Sequence, residues 1–348
     1  MRSERVGAFA PGRLNLIGEH TDYNEGLALP FAISDGVTVK AEAVRARRIE
    51  AVALDMGETD AFDLDDPPRG AGGWRAFVRG VVAELAGAGV SLGGARLEIH
   101  GTVPQGAGLS SSAALEVALC LALVGVSEAE APDGRTLAKI CSRAENEWVG
   151  ARTGLLDQLA SIFGKAGAAL RIDFRSLAVE PVALELGDWR LVTLDSGERH
   201  AHGESGYNER REECARASAA LGIASLRDAT EPMLSQLPPL LARRVRHVIN
   251  ENERVDHTLA ALRRRDLEQV GRLLDASHAS LRDLYEVSTS AVEKAVATLR
   301  SCGAAGARVV GGGFGGHVLG LLPPGTNPPA GAAEVRPGPG AHLLDPSA

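Results

Sequence analysis

The chain has 348 residues, 45% hydrophobic and 24% charged, with a formal net charge of -8 at neutral pH. That length accommodates two domains with cores of their own, and the acidic balance argues against nucleic acid and anionic membranes as general partners. No apolar run is long enough for a bilayer span, the opening MRSERVGAFAPG lacks the core and cleavage site of a secretory signal, and no asparagine stands in an N-x-Ser/Thr acceptor, so a soluble, cytoplasmic protein is expected.

In chain order, the first informative stretch is APGRLNLIGEHTDYNEG, which supplies Arg13, Asn15, Glu19, His20, Thr21, Asp22 and Tyr23 within eleven residues. A solvated face seldom gathers a cation, carboxylates, an imidazole and hydroxyls so closely. GVTVKAEAV (36–44) alternates like a strand, and ARLEIHG (95–101), ALRIDF (169–174) and RLVTLD (190–195) are short strand-like runs. WRAFVRGVVAELAGAG places Phe77, Val78, Val81, Val82 and Leu85 on one helical face, and Asp133 is placed to cap a helix with the stripe Leu137, Ile140, Cys141, Ala144 and Trp148. Helical periodicity dominates 204–302, with breaks near Pro232, at Pro238 and Pro239, and at Asp266; ARVVGGGFGGHVLGLL then returns to strand, and a Pro/Gly-rich tail leads to a last extended segment. Strands and helices mix without regular βαβ alternation, which predicts two α+β domains meeting near residue 175.

Three segments are placed to carry chemistry. VPQGAGLSSSAALEVALCLALVG passes through Gly106 and Gly108 into an apolar helix at Ser110 to Ser112, so backbone N–H groups and hydroxyls crown a helix start: an anion site, or an ordinary serine-capped helix. In AENEWVGARTGLLDQLAS, Glu145 and Asp157 fall at the edges of helical stripes, either half-desolvated in a cleft or plain surface acids, and Thr153 is placed to cap the second helix. Gly311, Gly313 and Gly316 fit G-x-G-x-x-G but lack a following βαβ unit; a bend bringing backbone close to a ligand or strand is the better expectation, and no P-loop is present. Arg210, Arg211, Arg243, Arg244, Arg246 and Arg263 to Arg265 lie on Glu-rich helices and are expected on solvated, ion-paired faces. Cys120, Cys141, Cys214 and Cys302 show no metal spacing and are expected as reduced thiols, and His200 with His202 lacks further ligands, which favours a local structural role.

GRLNLIGEHTDYN resembles the signature of the galactokinase family within the GHMP small-molecule kinases. PQGAGLSSSAA resembles that superfamily's phosphate loop and GARVVGGGFGG its third motif, in family order, with AENEWVG and DQ between them. The resemblance implies an α+β, two-domain GHMP kinase fold, with the active site in the cleft between an N-terminal domain (1–175) and a C-terminal domain (176–348). It implies transfer of the γ-phosphoryl of ATP to the C1 hydroxyl of α-D-galactose, with small molecules as the partners and the oligomeric state left open. Glu19, His20, Thr21, Asp22 and Asp157 would contact the sugar and Tyr207 would close its site. Gly106, Ala107, Gly108, Leu109, Ser110, Ser111 and Ser112 would wrap the triphosphate. Ser112 and Glu145 would hold Mg2+, Asp157 would be the general base, and Arg13 would stand beside it and the transferring phosphoryl. His317 departs from the cysteine or serine of many relatives, which bears on fine substrate preference. A kinase for N-acetylgalactosamine or L-arabinose, or a non-catalytic galactose sensor, is the alternative.

Overall fold

The alternating GVTVKAEAV stretch forms the end of a long strand. In the computed structural model, which describes residues 5–103, 108–151, 153–198 and 203–345, the chain opens with β1 (Arg5–Asn15), β2 (Leu27–Ala28) and β3 (Pro30–Val44). β1 and β3 pair antiparallel, with a register shift between Pro11 and Arg13. The shift falls at Gly12, where a Cβ would lie 2.5 Å from the Leu109 carbonyl oxygen. Glycine therefore lets the serine loop close against β1, and the irregularity re-aims the next side chain, Arg13.

β4 (Arg48–Ala53), β5 (Glu58–Asp63), α1 (Trp74–Gly87), β6 (Gly94–Gly101) and α2 (Ser111–Val126) follow. α2 is apolar nearly all round because it packs against β1, β3 and α1. Asp133 caps α3 (Gly134–Ala144), as expected, accepting from the Arg135 and Thr136 amides. The predicted stripe does not continue as α-helix to Trp148: Glu145–Val149 form a π-helical turn closed by Gly150, whose amide bonds the Glu145 carbonyl. α4 (Leu156–Phe163) begins without a side-chain cap. Thr153 does not cap it, because its hydroxyl is spent on Glu145.

β7 (Ala168–Asp173) and β8 (Ala178–Ala183) join β2 in a three-stranded sheet, and β9 (Arg190–Asp195) precedes the helical region. That region resolves into α5 (Gly203–Leu221), α6 (Pro239–Arg263), α7 (Leu267–Asp283) and α8 (Ser290–Ser301). Pro239 starts α6 where its missing N–H costs nothing, and Asp266 caps α7 through the Gln269 amide. β10 (Gly306–Val309), β11 (His317–Leu322) and β12 (Ala333–Val335) complete a sheet of order β10-β11-β9-β12. The tail's last segment, β13 (His342–Leu343), returns to pair with β1 and finishes the order β13-β1-β3-β6-β4-β5.

The solvated reading of the arginine runs holds for Arg243, Arg246 and Arg263 to Arg265 and fails for Arg210 and Arg244. Arg244 is 1% exposed and bonds Glu213 at 2.7 Å and Glu286 at 2.7 Å; Arg210 meets the same Glu213. Their helices face each other, so the ion pairs close inside the α5–α6 contact rather than over it.

Candidate active site

The irregularity at Gly12 delivers Arg13 to the serine loop. Its amide bonds the Leu109 carbonyl at 3.1 Å, its Nη1 bonds the Gly108 carbonyl at 2.8 Å, and its Nε donates to Asp157 Oδ1 at 2.8 Å. The Ser110 hydroxyl takes the other oxygen of Asp157, at 2.5 Å. Ser110 adopts a left-handed backbone (φ 59°) and makes no cap bond, so the ordinary serine-cap alternative fails: its hydroxyl faces α4, not its own helix. The first-turn amides of α2 open beside it, the arrangement that receives anions. Gly106 and Ala107 lie outside the described residues, as do His200 and His202. Gly311 approaches from the glycine-rich bend, its would-be Cβ 3.4 Å from the Gly108 carbonyl oxygen.

Behind Asp157, Glu145 is buried rather than at an edge. Its Oε2 accepts from Thr153 at 2.6 Å and from Gln158 at 3.0 Å, and the Ser112 hydroxyl also bonds this carboxylate. Burial raises its pKa despite the Thr153 bond, and the nearby charge of Asp157 adds to the rise.

The signature segment is held from the other side. Gly18 N donates to Glu251 Oε1 at 3.0 Å, Leu27 N to Asn252 Oδ1 at 2.7 Å, and Arg308 Nη1 to the carbonyls of Asn15 and Leu16 at 2.9 Å each. His247 Nε2 lies 3.1 Å from the Glu19 carbonyl. Glu19 pairs with the buried Arg308 at 2.9 Å and accepts from Gly311 N at 2.8 Å. Glu251 is fully buried, yet Arg254, His247 and Arg308 overcome that burial and hold its pKa down at about 2. No sequence motif assigns a role to Glu251, Asn252, His247 or Arg308; the one local signal is the helical i, i+4 spacing of His247 and Glu251.

Burial, then the neighbouring His247, lowers His20 to about 3, so its ring is neutral. Nε2 faces the Gly312 carbonyl oxygen at 3.2 Å, which fixes the proton there, and Nδ1 accepts from the Tyr23 hydroxyl at 2.8 Å. The order continues outward: Tyr285 donates to Tyr23 at 3.0 Å and Cys214 to Tyr285 at 3.0 Å. Tyr207 stacks on His20 at 5.4 Å between ring centroids, so all three tyrosines of the chain meet here. Thr21 needs correction as a sugar ligand. It is fully buried, and its hydroxyl is shared between the Gly18 and Leu27 carbonyls, so it ties the loop from behind. Asp22 is half-buried, and its enclosed carboxyl is pushed up to about 7 by burial and then by the charge of Asp157. Gly154 admits that carboxylate: a Cβ there would lie 1.9 Å from Asp22 Oδ2. Arg211 reaches the same place from α5, 6.0 Å from the Tyr23 ring centre and 3.4 Å from the Thr153 carbonyl.

The family models assign the same segments. The galactokinase galactose-binding signature covers 2–42, the GHMP kinase N-terminal domain 76–165 and the GHMP kinase C-terminal domain 258–337. The galactokinase of Mycobacterium tuberculosis is 42% identical over 320 residues, spanning 90% of this chain and 88% of that protein. The chain belongs to the galactokinase family. A second family member, from Thermotoga petrophila, is 40% identical over 89% of this chain and 87% of its own. Lactococcus lactis galactokinase, solved with galactose, superposes with a TM-score of 0.91 at 31% identity, covering 99% of this chain and 96% of that one. Methanococcus jannaschii mevalonate kinase shares the fold, with a TM-score of 0.69 at 17% identity over 97% of this chain and 99% of its own. The two-domain GHMP kinase fold is therefore the one this galactokinase-family chain adopts. Among the described residues no helix is long and apolar enough to cross a membrane.

Proposed function

We propose that this protein is an ATP-dependent galactokinase, moving the γ-phosphoryl of ATP to the C1 hydroxyl of α-D-galactose. Beside family membership, one observation supports it: Arg13, Asp157 and the start of α2 converge on one crevice, next to the signature loop. The Ser110 hydroxyl, 2.5 Å from Asp157, marks how an alcohol oxygen sits against that carboxylate. The C1 hydroxyl takes the corresponding place, with Asp157 accepting its proton and Arg13 offsetting charge on the transferring group. Glu19, Asp22 and Tyr207 frame the sugar, and His20 shapes the pocket through its ring face. The cleft is assigned between residues 1–175 and 176–348, with β13 returning to the first unit, and a cytoplasmic setting belongs to the same proposal.

Ser112 and Glu145 offer a hydroxyl and a carboxylate, hard oxygen donors that suit Mg2+, and the raised pKa of the enclosed Glu145 marks a carboxylate that a cation would relieve. When bound, Mg2+ would neutralise phosphate charge. Glu145 and Ser112 would hold it, while Arg13 keeps Asp157 oriented.

An ADP-release assay over galactose, N-acetylgalactosamine, L-arabinose and glucose tests the substrate. Galactose should be turned over best; silence on every sugar with galactose binding retained would overturn the enzyme in favour of a sensor. Asp157→Asn should keep galactose and ATP binding by calorimetry while kcat falls on the order of 10³-fold. Near-normal turnover in that variant removes the general-base role.

A further inference from the structure

α2 reads SSAALEVALCLALVGV, and Glu116 is its one acidic residue. It is fully buried in an otherwise apolar helix, where an isolated carboxyl is costly. One turn toward the cleft stands Ser112, so the two share a helical face. The neighbour that meets Glu116 is Gln158, itself fully buried and next to Asp157 on α4. Gln158 Nε2 lies 3.2 Å from Glu116 Oε2 and 3.0 Å from Glu145 Oε2. The two hydrogens of one amide thus serve two carboxyl groups, and each acceptor fixes the same amide orientation. Glu116 Oε1 and the Gln158 carbonyl oxygen are left buried without partners. A glutamine at position 116 would keep a side-chain oxygen to accept from Gln158 Nε2, whereas an apolar residue would not.

We propose that Glu116, acting through Gln158, is a positioning residue that sets the carboxylate of Glu145 for its cation. This rests on Glu145 and Ser112 being the Mg2+ holders. Without Glu116 the Gln158 amide loses one of the two acceptors that orient it, and Glu145 keeps Thr153 as its remaining fixed donor to Oε2. The consequence falls on the metal and spares the sugar, because the galactose side is held from α6 and β10.

The test uses the full chain and binding alone: calorimetric titration of ADP at stepped Mg2+ concentrations, with galactose binding measured beside it. E116L should raise the Mg2+ concentration for half-maximal ADP binding by about 10-fold or more, the usual scale for partners of metal ligands. E116Q should stay within about 3-fold of the parent, because its side-chain oxygen can still accept from Gln158 Nε2. Q158M, which removes the same link at similar volume, should match E116L, and the double variant should be no worse than either single one. Should E116L fail to fold, Q158M with E116Q carries the test. An unchanged Mg2+ dependence in Q158M overturns the proposal, as does equal weakening of galactose and Mg2+–ADP binding. E145Q separates the two layers. If it leaves the Mg2+ dependence unchanged, the metal assignment falls and takes this proposal with it; if it shifts that dependence while E116L and Q158M do not, the positioning role alone is wrong.

Discussion

The two halves of the cleft are built on opposite principles. On the sugar side the signature loop is clamped by the protein itself: Glu251, Asn252, His247 and Arg308 hold its backbone, and His20 has a protein partner at each ring nitrogen. On the phosphate side Glu116, Glu145 and Asp157 crowd together, and the raised pKa of Glu145 comes from burial and from Asp157. In the proposed reaction the sugar is neutral, and a site preformed by hydrogen bonds suits it by excluding wrong geometries. In the same proposal the nucleotide would arrive with its own negative charge and a counter-ion, and carboxylates held at high energy by burial would be relieved by that ion. The two sides meet at Asp157, which bonds Arg13 and Ser110 and whose charge raises the carboxyl of Asp22.

Arg13→Met should break the phosphate side most. Asp157 would lose its guanidinium and the serine loop its tie at Gly108, and kcat should fall on the order of 10³-fold with little change in galactose affinity. A kcat/KM loss that comes wholly from galactose KM would show that the two sides are not separable. Glu251→Gln attacks the sugar side, leaving Arg254 without its buried partner, and should cost about 3 kcal/mol in urea unfolding at neutral pH. The sign with pH follows from a folded pKa near 2 against an ordinary 4.5: the Glu251 contribution is complete above that ordinary value and fades as pH falls toward 2. The gap between parent and variant should narrow over that range.

Asp22 is the sugar-side residue that shares the phosphate side's strain, and it sharpens the boundary. Its carboxyl is raised from 3.8 to about 7, so the folded protein keeps a proton that the unfolded chain has lost across that window. Stability therefore falls as pH rises from about 4 to 7, with the full penalty above 7. Asp22→Asn should melt like the parent near pH 4 and increasingly above it toward pH 8, while binding galactose more weakly. Parallel melting curves at every pH would remove the strain assigned to Asp22.

The fold's outline was legible where periodicity was strong. GVTVKAEAV alternates because one sheet face is buried, and Asp133 announces a helix by local hydrogen bonds alone; Asp266, read as a turn, also caps the helix that follows it. The π-helical turn at Glu145 was illegible because it is set by packing: Trp148 lies against Gly80 of α1, where a Cβ would come within 2.9 Å of it. The placement of Arg13, Asp157 and Ser110 together came from motif resemblance, since no spacing rule joins residues so distant in the chain. The clamp from α6 was hidden for a different reason. Helical periodicity marks that stretch only as helix, and the tertiary arrangement alone turns Glu251 and Asn252 toward backbone amides of the signature loop. Arg244 is buried for the same reason: its partners lie 31 and 42 residues away, and no local spacing joins them.

The smallest expected effect probes whether the preformed side is preformed in depth. Tyr285 has no exposed surface and does not reach the cleft itself, yet its hydroxyl links Cys214 to Tyr23, and Tyr23 fixes His20. Tyr285→Phe deletes that link and leaves the ring in place. Tyr23 keeps its bond to His20 and loses an incoming donor, so stability should drop by about 1 kcal/mol and galactose affinity by about 3-fold. kcat should not move, because nothing in the Arg13–Asp157–Ser110 cluster touches Tyr285. Calorimetry with galactose and steady-state kinetics on one preparation decide it: a kcat change comparable to the affinity change would mean that the hydrogen-bond chain behind His20 also sets the reacting geometry, and the two halves of the cleft would have to be treated as one.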